Sequence, residues 1–259
     1  MNEYKLLALG DVVGQNAVNA IGQRLWGFRK AHKIDLVVCN AENCAVGNGV
    51  DPQSADRLIE YGCDVLTGGN HSFRKREIRR YLDDNDFILR PANYPYGTPG
   101  SGYTIVDIAG QRALVINVMG TIYLEALACP FATVERILER EAGKYDLAAL
   151  DIHAEATSEK IALGWHFDGR IQAIWGTHTH VATADMRVLP KGSGYVTDLG
   201  MSGPQDGVLG IRTDIIIDKL RTKLPVKFEL AEGEPEINGC IYTINPDTKR
   251  CISVERVRF

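Results

Sequence analysis

Five short polar clusters hold most of the residues able to do chemistry. They are Gly10-Asp11, Asn40-Ala41-Glu42-Asn43, Gly68-Gly69-Asn70-His71, Asp151-Ile152-His153 and Gly176-Thr177-His178-Thr179-His180, each at the end of a short apolar run. They offer carboxylates from Asp11 and Glu42, amide oxygens from Asn43 and Asn70, and imidazoles from His153, His178 and His180. Oxygen and nitrogen donors without thiolate suit manganese, iron, zinc or cobalt, and argue against a cysteine-rich structural zinc. Seven donors exceed the needs of one tetrahedral ion. With one carboxylate bridging, they suffice for two ions about 3.5–4 Å apart, the arrangement used for phosphate ester hydrolysis. His178 and His180 are spaced by two, so extended backbone would point both rings the same way, and flanking glycines permit a tight turn. Taken singly, the clusters have structural explanations: an Asx turn or helix cap for Asn-Glu-Asn, a hydrogen-bonded core histidine for His153. The two imidazoles of the glycine-bounded Thr-His-Thr-His loop have no such packing role.

To share one pocket, these groups must be brought to one edge by the elements before them. Short apolar runs at 4–9, 36–39, 64–67, 147–152 and 171–175 alternate with amphipathic stretches at 18–32, 53–61 and 75–82, the pattern of βα units. Loops at the carboxyl ends of parallel strands converge on one edge of such a sheet. Residues 103–118 break the alternation, with two β-rich runs flanking Gly110-Gln111 that predict a hairpin. Beyond Tyr195 the chain is again strand-rich and ends in runs at 237–244 and 251–259 around Asn245-Pro246-Asp247, which predicts that Cys240 and Cys251 are neighbours across a hairpin. No repeat or linker divides the chain, so one domain, 1–259, is expected.

Composition narrows the classes. The 259 residues carry a formal net charge of −4, without the basic excess that duplex-binding proteins show. No apolar run approaches the roughly 18 residues of a membrane span, and Met1 to Gly10 does not read as a cleavable leader. Six scattered cysteines without Cys-x-x-Cys spacing read as reduced thiols, so a cytoplasmic location is expected, with no membrane and no duplex nucleic acid as partner.

The succession GD, NAEN, GGNH, DIHAEATSEK, GTHTHVATAD and TDLGMSGP resembles the YmdB-type branch of the calcineurin-like metallophosphoesterases across nearly the whole chain. The GNH and GxHxH elements are shared by the superfamily; NAEN and HAEATSEK are more specific to the branch. The resemblance implies a four-layer α/β/β/α sandwich with two central mixed sheets. It implies two divalent or trivalent metal ions, iron or manganese first and zinc as the third candidate, and phosphodiesterase activity on cyclic nucleotides, notably 2′,3′-cyclic forms. By the same resemblance Glu42 bridges the ions, Asp11, Asn43 and His180 bind one, and Asn70, His153 and His178 bind the other. His71 is then the proton donor to the leaving oxygen, and a water activated between the ions is the nucleophile. Val13 stands where the superfamily usually has a histidine, a departure of this branch for which Asn43 compensates. Ser72-Phe73-Arg74-Lys75-Arg76 and Gly120-Thr121-Ile122-Tyr123 depart from the branch pattern at the pocket rim.

The rim carries the question of substrate. Arg74, Lys75, Arg76, Arg79 and Arg80 follow His71; on a helix Arg76 and Arg80 would share a face, as would Lys75 and Arg79. They form either a solvated face or a positive rim for a small anionic phosphodiester, with Arg74 the candidate contact. Thr157-Ser158-Glu159-Lys160 either begins a helix whose N–H groups face the pocket or brings Lys160 to the substrate. His32 and His166 read as structural or surface residues. Competing functions are a phosphomonoesterase or phosphoprotein phosphatase with the same centre, and a regulatory or scaffolding protein retaining the fold. The strand-rich region from Tyr195 to Phe259 would complete the second sheet or offer an edge to another copy, which makes a homo-oligomer the expectation.

Overall fold

Period-two alternation sets the layers. The computed structural model describes residues 3–259. The first half runs β1 (Tyr4–Leu9), β2 (Asp11–Val12), α1 (Gly14–His32), β3 (Leu36–Asn40), α2 (Pro52–Glu60), β4 (Val65–Thr67), α3 (Ile78–Asp84), β5 (Tyr103–Ile108) and β6 (Gln111–Met119). The second runs α4 (Pro130–Arg140), β7 (Leu147–His153), α5 (Thr157–His166), β8 (Ala173–Thr177), β9 (Arg187–Val188), β10 (Gly194–Val196), β11 (Met201–Pro204), α6 (Thr213–Thr222), β12 (Pro235–Glu236), β13 (Asn238–Asn245) and β14 (Arg250–Arg258).

A five-stranded sheet has the order β14-β13-β1-β3-β4 and a six-stranded sheet the order β5-β6-β7-β8-β10-β9. Both are mixed: β1, β3 and β4 are parallel, as are β6, β7, β8 and β10, while β13–β14 and β5 join antiparallel. In β1, Leu7 and Leu9 face a core with Ile21 and Leu25 of α1 and Leu58 of α2, whereas Leu6 and Ala8 face the other sheet. In β6, Val115 faces that inter-sheet core with Trp175 and Tyr242, and Leu114 and Ile116 face Val134 of α4 and Leu163 of α5. The layers are therefore α/β/β/α, the expected calcineurin-like sandwich. A third, three-stranded sheet, β12-β11-β2, lies beside them. Among the described residues no helix is long and apolar enough to cross a membrane.

Several local expectations change. α1 begins at Gly14, four residues earlier than the apolar pattern suggested, where Gly14 takes φ 77° and donates its N–H to the Asn43 carbonyl. α2 starts where Asp51 accepts from the Ser54 N–H at 2.8 Å and Pro52 takes the first turn. α3 begins at Ile78, because residues 70–77 are held in turns by Ser72 N–H to Gly69 and Arg74 N–H to His71. Lys75 and Arg76 thus precede the helix, and the shared faces expected for Arg76 with Arg80 and for Lys75 with Arg79 do not form. The β5–β6 turn is Ala109-Gly110, with Gln111 already in β6. Cys240 pairs with Arg256 and Cys251 with Ile244, across a register irregularity at Thr243/Ile244, so the two cysteines are not cross-strand partners. Only Gly194–Val196 of the C-terminal region joins the second sheet as a parallel strand; the β13–β14 hairpin extends the first.

Candidate metal centre

Each of the five clusters sits at the carboxyl end of a parallel strand: β1, β3 and β4 of one sheet, β7 and β8 of the other. The two sheets therefore deliver side chains to one point from opposite sides. Asp11, Glu42 and His180 present ligand atoms within 4.8 Å of one another. Asn43 Nδ2 lies 3.3 Å from His180 Nε2 and donates to Glu42 Oε1 at 2.5 Å. On the other side of Glu42, His153 Nε2 lies 3.5 Å from Oε2, 2.8 Å from Asn70 Oδ1 and 3.1 Å from His178 Nδ1. Asp11 accepts the His178 backbone N–H at 3.1 Å. All seven sequence-chosen donors lie together. In Asn43 the amide nitrogen faces the group, so ligation through oxygen requires a 180° turn of that amide.

The donor chemistry fits cations. Asp11, Glu42, Asp151 and Asp198 are all buried there with one buried cation, Lys160. Burial, with the Asp198 and Glu42 carboxylates next, pushes the Asp11 carboxyl well above its usual range. Burial acts upward on Glu42 too, but the His153 and His71 imidazoles overcome it and hold the carboxyl at about 2. Burial pulls His153 down to about 3 and lowers His178 and His180, so all three rings are neutral at pH 7 and offer a lone pair. Imidazole lone pairs converge there with carboxylates that take N–H groups from Asn43, His71 and His178, a donor set that suits a cation.

The rings are aimed by neighbours. His153 Nδ1 contacts Thr177 Oγ1 at 3.0 Å, and Thr177 donates to Asp151 Oδ1 at 2.8 Å. Asp151 also accepts from Thr67 Oγ1 and Asn40 Nδ2, and its burial raises it to about 6 against those bonds. His178 Nε2 meets Glu155 Oε2 at 3.0 Å. The expectation of extended backbone at the paired histidines fails: His178 has φ 95° and His180 φ 63°. Asp198 supports that strained loop, accepting Thr179 N–H at 3.2 Å and Oγ1 at 2.8 Å through Oδ2, and Gly200 N–H at 2.8 Å through Oδ1. Asp151, Glu155, Thr177 and Asp198 lie within the sequence motifs but have no role assigned by them; the signal for these residues is a polar side chain repeated at or just after strand ends.

His71 takes its place by donating its N–H to Glu42 Oε2 at 2.8 Å, with Nδ1 2.8 Å from Asn43 Oδ1 and 3.0 Å from Glu42 Oε1. Arg74 is exposed and lines a cleft that reaches Asn43. Lys160 does not face substrate. It is wholly buried in α5 and its Nζ bonds Asp198 Oδ2 at 2.7 Å, so the alternative in which it touches the ligand is corrected. Glu159 beside it accepts the N–H groups of Thr121 and Ile122 at the rim. His32 stacks on Phe28 and His166 pairs with Glu135, both away from the centre.

Two mixed sheets that bring carboxylates, amides and imidazoles together at their strand ends define the calcineurin-like phosphoesterase class. Within it, the YmdB-like protein family matches residues 7–257, and the chain belongs to that family. It is 42% identical over 253 residues to a 2′,3′-cyclic-nucleotide 2′-phosphodiesterase of Bacillus subtilis (strain 168), covering 98% of this chain and 96% of that one. A novel phosphatase from Mycoplasma pneumoniae superposes with TM-score 0.93 at 32% identity, covering 100% of this chain and 94% of that one. A hypothetical protein from Thermus thermophilus does so with TM-score 0.92 at 36% identity, covering 98% of each.

Proposed function

We propose that this chain, a phosphoric diester hydrolase, opens 2′,3′-cyclic nucleotides at a dinuclear metal centre. The observation that carries the reading is the position of Glu42 between the His153–Asn70–His178 group and the Asp11–His180 group. Asp11, Asn43 and His180 would hold one ion and Asn70, His153 and His178 the other, with Glu42 shared. Iron or manganese suits these donors, with zinc third. Such ions supply Lewis-acid charge to the phosphoryl oxygens and lower the pKa of bound water towards 7.

The chain's own residues do the rest. His71, with Nδ1 tied to Asn43 and Glu42, holds its ring fixed and delivers a proton from Nε2, which makes no hydrogen bond among the described residues, to the leaving ribose oxygen. Arg74 offers positive charge to the anionic substrate from the cleft wall. The inter-sheet core supports a single domain, the free cysteines a reducing cytoplasmic setting, and the exposed Ile217 and Leu220 of α6 a homo-oligomer. Duplex nucleic acid is not a proposed partner.

Metal analysis of purified protein, paired with turnover of 2′,3′- and 3′,5′-cyclic nucleotides, bis-p-nitrophenyl phosphate and p-nitrophenyl phosphate, tests the reading. Two metal equivalents and preference for the 2′,3′-cyclic diester are expected. Protein that stays inert after Mn²⁺ or Fe²⁺ is supplied overturns it. Preference for the monoester would favour the phosphatase reading, in line with the description of the Mycoplasma pneumoniae structure.

A further inference from the structure

The cleft that begins at Asn43 is longer than a phosphate needs. It holds 580 Å³, within the roughly 300–1,000 Å³ typical of small-ligand sites. One wall is Gly14 at the start of α1, with the loop around Gly47 and Arg74. The strap that follows α6 forms the other side with Lys227 and Phe228, and its Leu230 packs on Gly14 and closes the floor. Arg74, Lys219 and Lys227 line it and no carboxylate does, so the cleft selects for an anion along its whole length. Cations alone would suffice for that. The cleft adds an aromatic ring and aliphatic surface: Phe228 is 43% exposed and Leu230 39%, beside a polar centre where neither stabilises a core.

The strap is built to hold this surface in place. Arg212 N–H donates to the Glu229 carbonyl at 3.0 Å, its side chain pairs with the Glu229 carboxylate at 2.7 Å, and Ala231 N–H donates to Gly210 at 2.9 Å. These bonds flank Phe228 and Leu230 on the C-terminal side. Lys219 Nζ stands 4.3 Å from the Phe228 ring centroid, a cation–π contact that restrains the ring. A restrained aromatic ring in an acid-free cleft leading to a phosphoester centre suits a ligand with one flat π-face and one phosphate. Every nucleobase has such a face, and stacking tolerates differences in base identity.

We infer that the strap 225–230 forms the nucleobase subsite, with Phe228 as the stacking platform, Leu230 as apolar floor, and Arg74 between base and metal centre. The inference rests on the cyclic-nucleotide reading above and adds how the nucleoside is held. It makes Phe228 a specificity determinant for base-bearing substrates.

The test compares 2′,3′-cyclic AMP with glycerol 1,2-cyclic phosphate, which keeps the five-membered cyclic diester and lacks a base. The ratio of kcat/KM values for the two is measured in wild type, Phe228→Ala and Phe228→Tyr, with thermal melting and subunit number recorded for each. Stacking is worth enough that Phe228→Ala should lower the ratio about 5- to 100-fold, mainly through KM, while Phe228→Tyr should hold it near wild type. An unmoved ratio in an active Phe228→Ala enzyme overturns the subsite and leaves the phosphodiesterase reading standing. A ratio that falls only where the subunit number also changes identifies the strap as an interface and overturns the subsite too. Wild-type protein inert on both diesters, with metal bound, overturns the functional reading and this inference with it.

Discussion

Lys160 Nζ lies 2.7 Å from Asp198 Oδ2 with both side chains shut off from solvent, and the same Asp198 oxygen accepts the N–H and Oγ1 of Thr179 between His178 and His180. The buried ion pair is thus joined to the loop that carries two of the candidate ligands. Such a pair adds little stability over an apolar replacement, but removing one partner leaves a bare charge in the interior. The lysine stem also lies across Gly176, whose absent Cβ would fall 2.6 Å from Lys160 Cδ.

Lys160→Met should cost about 3–5 kcal/mol in urea unfolding of metal-free protein, because Asp198 stays buried without its counter-charge. Lys160→Met with Asp198→Asn should recover a good part of that, since the neutral pair removes the uncompensated charge. A single variant within about 1 kcal/mol of wild type would show that water or a neighbouring group serves Asp198 instead.

His71→Ala should separate turnover from metal binding. The ring touches Glu42 and Asn43 through Nδ1 only, and Asp11, Asn70, His153, His178 and His180 are left intact. Metal content should stay at the wild-type level while kcat falls about 10²- to 10⁴-fold, the usual worth of a positioned acid. Equal loss of both, read by metal analysis beside the rate, would make His71 a ligand.

How far the chain could be read in advance follows from which interactions are local. The strands of the βα units were legible because Leu7 and Leu9 against Leu6 and Ala8 alternate between two cores, and the donors because strand ends carry them. The Lys160–Asp198 pair was not, since its partners are 38 positions apart and either could equally have faced a pocket. The left-handed backbone of His178 and His180 was hidden for a related reason: Asp198 supports it, and the residue types alone favour extended chain. Cys240 and Cys251 are not partners because the turn itself sets the register: Asn245 opposite Arg250 places Cys251 against Ile244, four positions from Cys240.

Asp11→Asn should give opposite results with and without metal. In the metal-free protein burial and the neighbouring carboxylates raise the Asp11 pKa, so the folded state binds its proton more tightly than the unfolded chain does. The stabilisation from that proton is complete below the unfolded carboxylate pKa and is lost as pH rises through the raised one. Chelated wild type should therefore lose stability relative to chelated Asp11→Asn as pH rises through that window. With metal the order should reverse, because binding stabilises only the form with ligands to offer. Melting curves across pH on both proteins, with EDTA and with Mn²⁺, check this; parallel curves for the two chelated proteins would remove Asp11 from the coupled group.

Gly69→Ala tests whether the approach of the Asn70 loop to His153 positions the ligands. A Cβ at Gly69 would fall 2.3 Å from His153 Nε2 and 2.4 Å from both neighbouring ring carbons, closer than real Cβ atoms come. The ring cannot simply retreat, because Nδ1 is held by Thr177 and Thr177 by Asp151. The loop must move instead, and with it Asn70, whose oxygen sits 2.8 Å from the same nitrogen. The added methyl should therefore weaken metal binding by about tenfold or more, the scale on which positioning contacts around metal ligands act. The sheets are not involved in the clash, so far-UV circular dichroism should match wild type. Titration calorimetry with Mn²⁺ on Gly69→Ala and on Gly27→Ala, a glycine of α1 with open space at its Cβ position, separates the outcomes. Weakening confined to Gly69→Ala supports the contact as a positioning device, and equal affinity in the two variants would show that the Asn70 loop gives way without disturbing the site.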